Sequence, residues 1–99
     1  MRTMIRVTIP VEMGNTTIKN GQLPKVMGSF VERWKPEAAY FYADNLGRRT
    51  GSFVIDLPDS SDIPSIAEPF FQELGASVEL TPVMNAEDLK KGLEKAMAG

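Results

Sequence analysis

The chain has 99 residues, one domain's worth, with 11 Lys and Arg against 13 Asp and Glu for a net charge of −2. Hydrophobic residues make up 42% and charged residues 24%, the balance of a globular rather than a disordered chain. The absence of Cys and His excludes disulfides, thiolate chemistry, Ser-His-Asp and Cys-His nucleophilic sites, zinc sites built on His or Cys, and His-ligated haem.

A slightly acidic chain lacks the basic face that a phosphate-tracking nucleic-acid binder needs, so no nucleic-acid partner is expected. No apolar run approaches about 18 residues, so no membrane span is expected. The segment from Met1 to Met13 carries Arg2 and Arg6 and has no apolar h-region. A cytoplasmic protein without a signal peptide is therefore expected. Size scaling gives about 5,600 Å² of folded surface against about 16,000 Å² extended, so roughly 65% can be buried without staples.

In chain order, Thr3 to Pro10 alternates and is rich in β-branched residues, which predicts a strand ended by Pro10. Ile5, Val7 and Ile9 share one face; Met4, Arg6 and Thr8 share the other. A short helix is predicted over about 15–20 with Asn15 as its N-cap. Asn20-Gly21 interrupts it. The main helix follows over about 22–34, with Leu23, Val26, Met27, Phe30, Val31 and Trp34 at helical spacing. Lys35-Pro36 stops it. Residues 38–43 read as a second strand and 49–57 as a third, joined by the turn Asp44-Asn45-Leu46-Gly47. Ser61 or Asp62 is expected to cap the next helix, whose stripe is Ile63, Ile66, Ala67, Phe70, Phe71 and Leu74. Pro69 should kink or restart that helix, and Gly75 should stop it. Ser77 to Met84 is a fourth strand. Asn85-Ala86-Glu87-Asp88 is a capping sequence for a last helix over 86–97, with Leu89, Leu93 and Met97 at four-residue intervals.

The order β-α-β-β-α-β-α, with both internal helices burying one stripe each, predicts an α+β, ferredoxin-like single domain over 1–99. Its four-stranded antiparallel sheet should have the order 4-1-3-2. The helix side should hold Ile5, Val7, Ile9, Ala39, Phe41, Val78 and Leu80. The opposite side collects Met4, Arg6, Thr8, Tyr40, Tyr42, Ser77, Glu79 and Thr81, with Ser52, Val54 and Asp56 from the third strand if Phe53 and Ile55 face the helices.

This second face is polar and aromatic, which suits a ligand-holding cavity better than a dry interface. Arg6, Thr8, Tyr40, Tyr42 and Glu79 are the candidate ligand-binding residues. Arg6 and Glu79, on neighbouring strands, are expected to pair. Glu79 is the one candidate general base, provided burial raises its pKa. Arg48 and Arg49 read as solvated hairpin charges, and Trp34 as core packing. Asp56, Asp59 and Asp62 lack the alternation and glycine of a calcium loop, so no metal site is expected. No cofactor motif is present.

The blocks Gly21-Gln22-Leu23-Pro24, Trp34 to Phe41, Ile66 to Phe71 and Val78 to Met84 resemble a family of small uncharacterised bacterial proteins of the dimeric α/β-barrel superfamily. The resemblance covers nearly the whole chain. It implies a homodimer whose two sheets face each other across a lumen, with strand four reaching the partner's sheet edge. Muconolactone isomerases, cofactor-free quinone-forming monooxygenases and haem-degrading enzymes share that superfamily, and the missing His weighs against the haem group. The expectation is a homodimeric barrel that binds a small organic molecule, anionic or aromatic, with cofactor-free isomerase or monooxygenase chemistry within reach of its residues. The alternative is a non-catalytic accessory module whose barrel is filled by its own side chains.

Overall fold

A computed structural model covers residues 1–99. The first strand, β1 (Arg2–Ile9), alternates as expected: Ile5, Val7 and Ile9 are buried on one side while Met4 and Arg6 stand exposed on the other. The chain turns straight from Pro10 into α1 (Val11–Lys19), four residues ahead of the predicted start. Pro10, with ψ 145°, serves as the cap without a side-chain bond, and Glu12 meets the positive helix end. Asn15 is therefore not an N-cap. The earlier start also turns Ile18 outward and buries Gly14 and Thr17 instead. Thr17 is satisfied locally, its hydroxyl donating to the Met13 carbonyl at 2.7 Å.

Asn20 and Gly21 make the expected break. Gly21 adopts φ 81°, and the Asn20 side chain accepts from the Gln22 N–H at 3.0 Å. Helix α2 (Gln22–Trp34) then buries Met27 and Phe30. It ends at Lys35 in the left-handed region, φ 47°, a conformation that spares Lys35 the α region disfavoured before Pro36.

Strand β2 (Ala38–Ala43) and β3 (Arg49–Asp56) form the hairpin. A 3₁₀ turn (Ser60–Asp62) leads into α3 (Ile63–Leu74). The cap here is Asp59, whose carboxylate accepts from the Ser61 N–H at 2.9 Å, whereas Asp62 makes no side-chain cap bond. Helix α3 runs through Pro69 as one element, neither restarted nor split there, and Gly75 stops it in the left-handed region. Strand β4 (Ser77–Pro82) is two residues shorter than expected, and α4 (Ala86–Ala98) carries the Asn85–Asp88 capping box.

The sheet is antiparallel with the order β2-β3-β1-β4, the predicted order, in an α+β arrangement consistent with a ferredoxin-like fold. Phe53 and Ile55 do face the helices. The core gathers Ile5, Val7, Ile9, Phe53 and Ile55 from the sheet with Met27, Phe30, Ile66, Phe70 and Leu74 from α2 and α3. Phe30 links the layers, its ring 4.7 Å from Phe53 and 5.2 Å from Phe70. Val78 and Leu80 are partly buried against this core, and Trp34 lies at its margin with Arg33 stacked over its ring. The stripes are narrower than the sequence suggests: Val31 and Phe71 are exposed.

One expectation fails on the helix side. Ala39 and Phe41 point that way but are not covered, because β2 lies at the sheet edge beyond the reach of α2. Phe41 is held only along its rim, edge-on to Phe53 at 5.6 Å across the bare Cα of Gly51. A Cβ at Gly51 would come within 3.2 Å of the Phe53 ring. No helix is long and apolar enough to cross a membrane.

Candidate functional site

The strand register places the candidate residues in rows across the open face of the sheet. Arg6 lies opposite Glu79 on one side and Ser52 on the other, with Tyr40 beyond Ser52. Thr8 lies opposite Ser77 and Thr50, with Tyr42 beyond Thr50. These rows follow from the two-residue period of the strands, since even-numbered residues of all of β1, β2 and β3 point the same way.

Arg6 and Glu79 form the expected pair with two bonds, Nε to Oε1 at 3.2 Å and Nη2 to Oε2 at 2.7 Å. Both side chains are about half exposed, at 50% and 55%, so in a single chain the pair is a surface pair of modest strength. Thr8, in the middle of the sheet, is buried. The Tyr42 hydroxyl shares a hydrogen bond with Ser52 Oγ at 2.8 Å and adjoins Arg6.

A second pair stands beside the first. The Arg48 guanidinium donates to Asp44 Oδ2 through Nε at 2.9 Å and Nη2 at 2.7 Å. Asp44 Oδ1 accepts the backbone N–H groups of Leu46 and Arg48, so one carboxylate organises the hairpin turn and fixes the arginine. Arg6, Thr8, Tyr42, Asp44, Arg48 and Glu79 together border a cleft of about 430 Å³.

Four of the five predicted site residues thus come together. Tyr40 does not: it is 70% exposed and lies outside the cleft, one row away on the edge strand. Arg48 is the residue that sequence reasoning set aside. Its signal was parity, because position 48 continues the even-numbered series of β3 that faces the site. Arg49 points to the other side, where Nη1 donates to Asn15 Oδ1 at 3.1 Å.

The electrostatics correct one expectation. Glu79 is not raised by burial. The hydrogen bond from Arg6 holds its carboxyl below the usual carboxylate range. It is therefore a charge partner and a weak base at neutral pH. Asp44 is likewise held low, by the hydrogen bonds from Arg48. Asp59 is engaged in its turn, and no group of three acidic side chains converges to hold a metal ion.

No family model matches the sequence, and no curated protein matches it. Among solved structures, the fold is similar to part of a formyltetrahydrofolate deformylase from Pseudomonas putida, with a TM-score of 0.53 and 16% identity. The match covers 84% of this chain but 29% of the deformylase chain, so this chain spans less than a third of that protein. At that identity the likeness is one of fold: a small α+β domain with a four-stranded antiparallel sheet.

Proposed function

We propose that the chain forms a homodimer of the dimeric α/β-barrel type and binds a small organic anion, aliphatic or aromatic, between the two open sheet faces. The observation that carries this reading is the cleft on the uncovered face, where two arginines, each held in a fixed plane by two hydrogen bonds to a carboxylate, flank Thr8 and Tyr42.

The chemistry favours a carboxylate. Glu79 and Asp44 take the Nε–Nη2 edges of Arg6 and Arg48, which fixes the two guanidinium planes and leaves Nη1 of each as the charged donor for an incoming carboxylate. A second sheet placed over this one would withdraw the site from water and strengthen each of these interactions. Tyr42 supplies a ring edge and a hydroxyl for an aromatic ligand. The proposed role is binding, because the low carboxyl of Glu79 is poorly suited to taking a proton.

The test is native mass spectrometry followed by titration with benzoate, using benzyl alcohol as the neutral control. The expected result is a dimer in which benzoate shifts the backbone amides of Arg6, Thr8 and Arg48. Arg6→Ala should weaken benzoate by at least about tenfold without changing the dimer mass. A monomer would overturn the barrel. A dimer indifferent to benzoate, or an Arg6→Ala variant that binds it unchanged, would overturn the site and leave the filled, non-catalytic module.

A further inference from the structure

Two apolar surfaces away from the cleft stand uncovered and at opposite edges of the sheet. One is the stripe on α4, where Leu89, Leu93 and Met97 are exposed and no residue of the helix is buried. The other is a groove of about 300 Å³ on the helix side of β2, walled by Leu23 and Met27 of α2 and by Phe41, which is 61% exposed. Arg49 stands at the rim of this groove, its charge met only by the neutral Asn15 side chain.

The amount of uncovered surface matches an interface. The chain exposes 6532 Å², about 900 Å² more than size scaling gives for a monomer of this mass. A standard interface takes about 800 Å² from each partner. The radius of gyration, 15.6 Å, likewise exceeds the value of about 13 Å for a packed chain of this length.

One chain cannot join its own two surfaces on the helix side. Strands β4 and β2 are opposite edges of the sheet, about 14 Å apart at strand spacing, and α2 and α3 occupy the ground between them. A second copy can join them. A two-fold axis running along the strands, between two facing sheets, sets each β4 edge beside the other copy's β2 edge. Helix α4 leaves β4 after three residues, Val83 to Asn85, and is delivered to that edge.

We infer that α4 of each chain covers the outer side of β2 in a second copy, with Leu93 seated over that copy's Phe41. The inference rests on the dimer proposed above and adds which segment seals it. The stripe from Leu89 to Met97 is about 12 Å long, and β2 from Ala39 to Ala43 is about 13 Å, so the two match end to end. Lys90 and Glu94 both border the stripe, and the helix direction that sets Glu94 rather than Lys90 near the uncompensated charge of Arg49 is the favoured one. The contact occurs twice around one axis, so it closes on itself and leaves neither the α4 stripe nor the β2 groove free for a third chain.

The test uses the absence of native cysteine. Leu93→Cys and Phe41→Cys are each made alone, since both side chains are exposed and mid-element, which makes the pairing insensitive to helix direction. The two variants are co-folded and mildly oxidised, and the mass of the unmodified protein is measured alongside. The expected result is a disulfide-linked pair containing one chain of each variant, absent when either variant is oxidised alone. A dimeric mass with no mixed disulfide overturns this assignment of α4 and leaves the facing-sheet dimer standing. A monomeric mass overturns both. Self-linked Leu93→Cys chains, with no mixed product, would mean that α4 pairs with its own copy instead.

Discussion

Strands β2 and β3 are paired residue for residue from Ala38 to Ala43, and both place a phenylalanine on the helix side. Phe53 on β3 is fully buried, while Phe41 on β2 is 61% exposed. The alternation that assigns each ring to a face is the same in the two strands. What differs is whether anything lies above. Phe53 sits under Phe30 of α2; Phe41 sits one strand further out, past the edge of the helix layer. Period tells which side a residue faces, and sheet order tells whether that side is covered.

This contrast can be broken most sharply by truncation. Phe53→Ala should cost about 3–5 kcal/mol in urea unfolding, because it opens a cavity where three aromatic rings meet. Phe41→Ala should cost less than about 1 kcal/mol in a monomer, since most of its ring is already in water. A Phe41→Ala cost close to that of Phe53→Ala would show that β2 is covered in solution.

Asn85→Ala sharpens the same contrast at the other uncovered element. Removing the capping box should destabilise α4 by about 1 kcal/mol. Amide exchange in α4 should speed by about fivefold, while amides of β1 and β3 should keep their rates. Accelerated exchange across the whole sheet would mean that α4 supports the core.

The smallest effect is on pH dependence. Glu79 and Asp44 titrate lower in the folded chain than their ordinary values of 4.5 and 3.8. The stability that they contribute is present above those ordinary values and is lost as pH falls through the lower folded ones. Side-chain NMR should find Glu79 below its usual midpoint, and Arg6→Ala should return it upward. An unchanged midpoint in that variant would separate Glu79 from Arg6 in solution.

Most of the architecture was legible because it depends on local pattern. Ile5, Val7 and Ile9 alternate, Met27 and Phe30 recur at helical spacing, and Asn20-Gly21 and Gly75 break the chain where they appear. The α1 boundary was not legible, since Pro10 ends a strand and opens a helix with the same fixed φ, leaving Asn15 as a decoy. The Asp59 cap was missed for a similar reason: several Asp and Ser residues in a row could each serve, and only the backbone selects one. At the candidate site, the Arg6–Glu79 pair could be read from strand neighbours. Arg48 could be read only in part: parity gives its face, but the plane of its guanidinium depends on how Asp44 shapes the turn. The exposure of Tyr40 and Phe41 depends on layer width, which no single segment encodes.

The hairpin that carries β2 closes over a short turn, whereas Arg6 must find Glu79 across 73 positions of chain. Hairpins form in microseconds and distant pairings later, so β2 and β3 should be assembled before β1 and β4 join them. During that interval, Ala38 to Ala43 is a six-residue edge without a charge, rich in aromatic rings and lacking proline. Of its acidic flanks, Asp44 is met by Arg48 as soon as the turn closes, whereas Glu37 is met by Arg2 only once β1 is in place. Glu37 is thus the unpaired charge that guards this edge before β1 arrives, and refolding yield should fall as protein concentration rises and fall further in Glu37→Gln.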